Sequence, residues 1–185
     1  MTDLEIFSEM IRPSARVDLV SSGHDKAKVV LKEQDCLDSK VTITGMPGDS
    51  LVIRADKWPA PDQVFAGSKH ECRRADYAIV AQENGKTVIV YIEMKKSRAR
   101  SREIIPQLSG AMCFVDYCQS IGKVFWKKRN FLSGAEHHFV AFCHTCKLDK
   151  RRSRIQKTKS FDSPGKFQRI SNTSRVHFNK LIGRL

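Results

Sequence analysis

The sequence predicts an α/β domain in which a central mixed sheet is flanked by helices, and three observations carry that expectation. DYAIVAQ (residues 76–82) and KTVIVYIEM (86–94) are rich in β-branched and aromatic residues, and the Asn84-Gly85 between them is a strong hairpin signal. The stretch from about Glu103 to Ile121 reads as a long apolar helix, with Pro106 in its first turn and Gly122 as its terminator. HHFVAFCHT (137–145) then reads as a buried strand, placed to return beside the hairpin after that helix. The chain of 185 residues is most simply one domain, long enough for a sizeable core.

From the N-terminus, Thr2-Asp3-Leu4-Glu5 is a capping box. Leu4, Ile6, Phe7, Met10 and Ile11 supply an apolar stripe, and the helix is expected to stop near Arg12 because Pro13 disfavours helical geometry before it. AKVVLKE (27–33), KVTITG (40–45) and LVIRA (51–55) follow as short strands separated by turn-rich segments, which predicts an antiparallel meander. A loop over residues 56–71, containing Trp58, then leads to Cys72-Arg73-Arg74. Two arginines there could hold phosphate oxygens in bidentate fashion, or could simply balance nearby acids.

A two-residue turn at Asn84-Gly85 makes Glu83 face Lys86, and the register can be counted back from that pair. Val80 then meets Ile89, and Asp76 arrives opposite Glu93, with Lys95 on the same face as Glu93 because strand side chains alternate. Directly opposed carboxylates about 5 Å apart repel, and each raises the other's pKa. A divalent cation resolves the conflict. Mg²⁺ is held by one or two protein carboxylates while water and phosphate oxygens complete its shell. The Lys95 ammonium could then polarise an attacking water or stabilise charge on phosphorus-bound oxygens. The plainer alternative is a salt-bridged hairpin end in which Asp76 and Glu93 share Lys95, and spacing alone leaves both open.

An Asp opening one strand, followed by an apolar strand that ends Glu-x-Lys, resembles the PD-(D/E)XK nuclease superfamily, with Asp76, Glu93 and Lys95 as the matching residues and Met94 between the last two. Gln107 opens an apolar helical stretch (107–118) and resembles the helix-borne Gln of several branches, although the Tyr often found four residues later is Ala111 here. The likeness covers roughly residues 70–120. Ala75 stands where the eponymous proline would be, and Pro61-Asp62 lies in a Pro-rich loop far from Glu93 in register. The resemblance implies a restriction-endonuclease-like αβββαβ core. It also implies a metal-dependent phosphodiesterase, endonucleolytic rather than exonucleolytic, that acts on DNA in preference to RNA. Asp76 and Glu93, with the backbone carbonyl of Met94, would hold Mg²⁺ or Mn²⁺; Lys95 and Gln107 would serve the attacking water. Many members dimerise to cut both strands, which leaves a homodimer open. Many also draw an acidic residue from an N-terminal helix, which makes Glu5 and Glu9 candidates for that role; a cap for Glu5 and a solvated face for Glu9 are the ordinary alternatives. A non-catalytic nucleic-acid-binding protein of the same fold is the main rival.

Beyond the hairpin, KKSRARSR (95–102) carries five cations in eight residues, among them Lys96, Arg98, Arg100 and Arg102, and would attract a phosphate backbone without reading its sequence. KVFWKKRNF (123–131) is ambiguous between strand and helix. Residues 147–166 form a basic loop that includes Lys150, Arg151, Arg152 and Arg154, and FQRIS (167–171) with RVHF (175–178) reads as a late hairpin turning at Asn172. The net charge of +13 is unevenly spread: residues 145–185 hold twelve Lys/Arg against two Asp/Glu. That concentration is the footprint of a polyanion partner such as nucleic acid, with a solvated tail as the bland alternative, and it points away from a membrane. No apolar run reaches the ~20 residues of a membrane span and Met1-Thr2-Asp3 begins no secretory signal, so a cytoplasmic location with six reduced cysteines is expected. Cys143-His144-Thr145-Cys146 lacks the second pair of a structural zinc site, although Cys113, Cys118, His137 or His138 could complete one.

Overall fold

The structure is a computed structural model that describes residues 1–33, 36–97, 99–144 and 160–184, without the side chains of residues 36–38. Helix α1 (Asp3–Met10) is followed by strands β1 (Arg16–Val17), β2 (Val20–Gly23), β3 (Lys26–Glu33), β4 (Cys36–Pro47), β5 (Ser50–Arg54), β6 (Tyr77–Glu83) and β7 (Lys86–Lys95). Helix α2 (Ser101–Phe125), strands β8 (Glu136–Cys143), β9 (Gln168–Ser171) and β10 (Arg175–His177), and a final turn of helix α3 (Phe178–Leu181) complete it. The strands form two mixed sheets, in the order β1-β5-β6-β7-β8-β9 and β10-β4-β3-β2. No helix among the described residues is long and apolar enough to cross a membrane.

The hairpin has the expected register. Asn84 and Gly85 take φ values of 52° and 77°, the left-handed pair that a type I′ turn requires. Glu83 pairs with Lys86, Val80 with Ile89 and Tyr77 with Ile92, so the next residues outward are Asp76 and Glu93. β5 adds antiparallel to β6, whereas β8 joins β7 in parallel through α2, the long crossover that a parallel neighbour needs. Both β6 and β7 are buried almost throughout, because the six-stranded sheet is covered on each side. Ala78, Val80, Ile89 and Tyr91 pack with α1 and α2, including Phe7, Leu108 and Val115. Ile79, Val88, Val90, Ile92 and Met94 pack instead against Val29, Leu31, Val41 and Ile43 of the second sheet and Phe178 of α3. The two longer helices, α1 and α2, therefore flank one face; the opposite face is covered by the four-stranded sheet together with the short α3.

Several expectations are corrected. Strand β5 does not continue a meander: it leaves β3 and β4 in the second sheet and pairs with β6 and β1 in the first. Gly45, at φ +68° beside His177, and the turn at Pro47-Gly48 redirect the chain between them. FQRIS and RVHF form no hairpin. β9 runs parallel to β8 and β10 parallel to β4, so the left-handed Asn172 lies in a connection between two sheets. α2 begins at Ser101, which puts Pro106 in its second turn, and it continues to Phe125 through Gly122. Gly122 is a contact residue rather than a terminator, since a Cβ there would overlap the ring of Phe131. The start of KVFWKKRNF is thus helix, followed by turns.

Helix α1 carries the expected capping box. Glu5 Nα donates to Thr2 Oγ1 at 3.2 Å and Thr2 Nα donates to Glu5 Oε2 at 2.6 Å. Glu9 Oε2 accepts from Trp126 Nε1 at 2.9 Å. Glu5 caps its own helix, and Glu9 ties α1 to the end of α2.

Candidate active site

Asp76, Glu93 and Lys95 share the helix-covered face of the large sheet, at the end where β6 has already stopped and β7 still runs. Asp76 Oδ2 accepts a hydrogen bond from Met94 Nα at 2.7 Å, and Lys95 Nζ lies 2.6 Å from Glu93 Oε1. Glu93 is only 1% exposed, and its second oxygen, Oε2, is buried with no hydrogen-bond partner among the described residues. Met94 buries its side chain in the opposite core. The N–H and C=O of one strand residue point to the same side, so the Met94 carbonyl faces the Asp76 side of β7, where no further β6 residue follows to pair with it.

The electrostatics are those of crowded carboxylates. Burial pushes the Glu93 carboxyl up to about 8, and the Asp76 charge adds to that while Lys95 opposes it. Burial likewise raises Asp76 to about 6; the Met94 amide and Lys95 favour its anion, and Asp56 and Glu33 disfavour it. Burial alone would lower Lys95, but Glu93, Asp76 and Glu33 outweigh it and keep the ammonium charged. Two carboxylates and a backbone carbonyl are the oxygen donors that a hard cation prefers, and the orphaned Glu93 Oε2 is a ready ligand, so these residues fit Mg²⁺ or Mn²⁺. No cluster of three or more His, Cys, Asp or Glu able to hold an ion occurs among the described residues. Mg²⁺ held by one or two protein carboxylates completes its shell with water and substrate oxygens.

A cleft of about 620 Å³ opens beside these groups, lined by Lys95, Arg73, Arg102, His70, Gln107 and neighbours. Gln107, in the second turn of α2, also lines an adjoining cleft of about 520 Å³ with Asp56, Arg73 and Arg74. α2 comes this close because residue 110 is glycine: a Cβ there would overlap the carbonyl oxygen of Arg73. Arg73 is exposed to the clefts. Arg74 is tied back, its Nε donating to the Asp56 carbonyl at 3.4 Å and its Nη1 to the Cys72 carbonyl at 3.5 Å, which favours the structural role for it. Arg100 is exposed at the start of α2, where its backbone N–H donates to Glu103 Oε2 at 3.4 Å. Lys96 donates its backbone N–H to Glu33 Oε1 at 3.1 Å. Arg98, Lys150, Arg151, Arg152, Arg154 and Cys146 lie outside the described residues. Cys143 is buried and lies 3.4 Å from Nη1 of Arg169.

Three further residues join the site without a local sequence signal. Asp56 follows β5, and its Oδ2 is 3.4 Å from Arg54 Nη2 while Oδ1 is buried without a partner among the described residues. Glu33 reaches in from the second sheet, and His70 lines both clefts from the 56–71 loop. Only the folding of β3 and β5 against the hairpin assembles them.

Comparison of the chain with protein-family models, with curated proteins and with solved structures yields no match.

Proposed function

We propose that the chain is a metal-dependent nuclease of the PD-(D/E)XK type that hydrolyses phosphodiester bonds of nucleic acid, DNA in preference to RNA, by endonucleolytic cleavage. The observation that carries this reading is the grouping of the Asp76 and Glu93 carboxylates with the Lys95 ammonium on one sheet face, beside a cleft lined by Arg73 and Arg102. The order helix, three antiparallel strands, crossover helix and parallel strand, formed by α1, β5, β6, β7, α2 and β8, supports it as well.

Asp76, Glu93 and the Met94 carbonyl would hold the cation. When bound, a divalent cation supplies Lewis-acid stabilisation of the charge that develops on the phosphate oxygens. Lys95, partly exposed to the cleft, orients the attacking water through its N–H donors and stabilises negative charge near phosphorus. The Gln107 amide, which lines the same cleft as Lys95, would fix that water's orientation. Arg73 and Arg102 bind flanking phosphates, which aligns the scissile bond.

A second reading has one observation in its favour. The Glu93–Lys95 ion pair at 2.6 Å closes part of the site on itself, as it would in a binding protein that does no chemistry. A cleavage panel decides between them, with linear and circular DNA and RNA, single- and double-stranded, in Mg²⁺ and in Mn²⁺. Wild type is expected to cut, circular DNA included, while Glu93→Ala and Lys95→Ala fold and still bind but lose activity by at least about two orders of magnitude. Wild-type protein that binds every substrate and cuts none overturns the nuclease reading in favour of the second.

A further inference from the structure

We propose that the outer face of the four-stranded sheet is a second nucleic-acid-binding surface, which grips the phosphate backbone outside the cleft and takes its partner from the nuclease reading. Strand β3 alternates strictly, with Ala27, Val29 and Leu31 buried and Lys26, Lys28 and Lys32 exposed on the outer face. The neighbouring strands add exposed Lys40 from β4 and exposed Arg175 from β10 to that face. Alternate residues on a strand stand about 7 Å apart and neighbouring strands about 4.8 Å apart, so these five cations form a lattice within reach of successive phosphates.

The arrangement is costly without an anion. Lys32 is the direct cross-strand partner of Lys40, and like charges directly opposite destabilise a sheet. Some cations elsewhere have a carboxylate partner: Lys86 with Glu136 at 2.7 Å, Arg184 with Glu136 at 2.9 Å, and Lys128 with Asp3 at 3.4 Å. On this face no described carboxylate lies within 4 Å of Lys26, Lys28, Lys32, Lys40 or Arg175. Lysines also guard sheet edges against aggregation, and Lys32 and Lys40 lie beyond the stretches that β2 and β10 pair with; Lys26 and Lys28, flanked by β2, guard no edge. Thr42, paired with Arg175, and Thr44 add hydroxyls between the charges, the mixture that contacts sugar and phosphate without reading bases.

The face is also tied to the candidate active site. The Tyr77 hydroxyl donates to the Lys32 carbonyl at 2.5 Å and accepts from the Lys32 N–H at 3.2 Å, and Tyr77 is the residue after Asp76. Lys32 therefore sits at the catalytic end of its sheet, and a strand leaving the cleft can continue onto the lysine lattice. The occupant is a phosphate backbone rather than a lipid surface, because apart from Val20, 54% exposed, and Val30, 40% exposed, the described outward positions of the face offer no large apolar group for insertion.

The test measures binding of a labelled duplex of about 25 base pairs to the full chain across a salt series, for wild type, for K28A/K32A/K40A and for the control K123A/K127A/R129A. The control removes the same charge from exposed positions on and after α2. For K28A/K32A/K40A the slope of log K against log salt is expected to fall by about two to three, and affinity near physiological salt by at least about tenfold. Its thermal unfolding should match wild type, and its cleavage rate at saturating duplex should hold while KM rises. An unchanged slope and KM in K28A/K32A/K40A, or an equal loss in the control, overturns this inference and leaves the nuclease reading standing. So does lysine-dependent binding to phosphatidylserine vesicles with duplex binding unaltered. Wild type that binds no nucleic acid removes both readings together.

Discussion

The Asp76 carboxylate accepts the backbone N–H of Met94 at 2.7 Å across the open end of the hairpin. One residue thus does two jobs: it closes the last rung beyond Tyr77, and it brings a carboxylate beside Glu93. Asp76→Asn retains an acceptor for the Met94 N–H but not the charge, and Asp76→Ala removes both. In cation-free buffer Asn is expected to keep the melting temperature near pH 5 and to raise it above pH 6, where the buried charge costs wild type stability, while lowering cation-dependent cleavage by about 10²-fold or more. Ala should also lower stability by about 1–2 kcal/mol through the orphaned amide. Parallel thermal melts and rate measurements on the two variants check the separation.

The raised carboxyls set a pH dependence with a definite sign. Asp76 titrates near 6 in the folded protein and Glu93 near 8, both above their ordinary values of 3.8 and 4.5. Across that window the folded state binds more protons than the unfolded state, so cation-free stability should fall as pH rises from about 4 to about 8. Mg²⁺ competes with those protons. Its stabilising effect should therefore be small near pH 5 and grow toward pH 8, which melting curves with Mg²⁺ and with EDTA will report. A Mg²⁺ shift that is flat with pH would contradict the ligand assignment. Glu93→Gln, neutral at every pH, should flatten both curves.

Gly110 holds α2 against the Arg73 carbonyl, and no side chain fits between them. Gly110→Ala should cost about 1–3 kcal/mol despite the better helix propensity of alanine, because the helix must retreat from the loop. Gln107 and Arg73, which share both clefts, would separate. Urea unfolding and nuclease assays on this variant should therefore show losses in stability and activity together.

Tyr77 spends its hydroxyl on both backbone groups of Lys32. Tyr77→Phe leaves those groups without that partner at a part-buried position and should destabilise by about 1–3 kcal/mol. Hydrogen exchange should show faster exchange at Lys32 than in wild type, since the edge of β3 loses its link to the hairpin.

How much of this was legible in the sequence depended on how local the determinant was. Asn84-Gly85 specified a turn, the turn specified a register, and the register brought Asp76 opposite Glu93 without tertiary information. Strand LVIRA was recognisable, but its sheet was not. Two-sided burial beside β6 attracts it more strongly than the nearer β4, and alternation cannot report that choice. Gly122 illustrates the same limit in a helix: it carries the composition of a terminator, yet Phe131, nine residues on, makes it a packing contact. Asp56 and Glu33 left no trace in the sequence because their proximity to Asp76 exists only once two sheets have docked.

The parallel pairing of β10 with β4 joins Arg175 to Thr42 and His177 to Thr44 across most of the chain. Until the ribosome has delivered β10 and α3, one flank of β4 has no neighbour, and the apolar layer beneath it lacks its α3 cover. Closure of so distant a contact is slow, so maturation of this half is expected to lag behind that of the hairpin. The nascent protein would meanwhile depend on chaperones or on rapid completion to avoid pairing with its siblings.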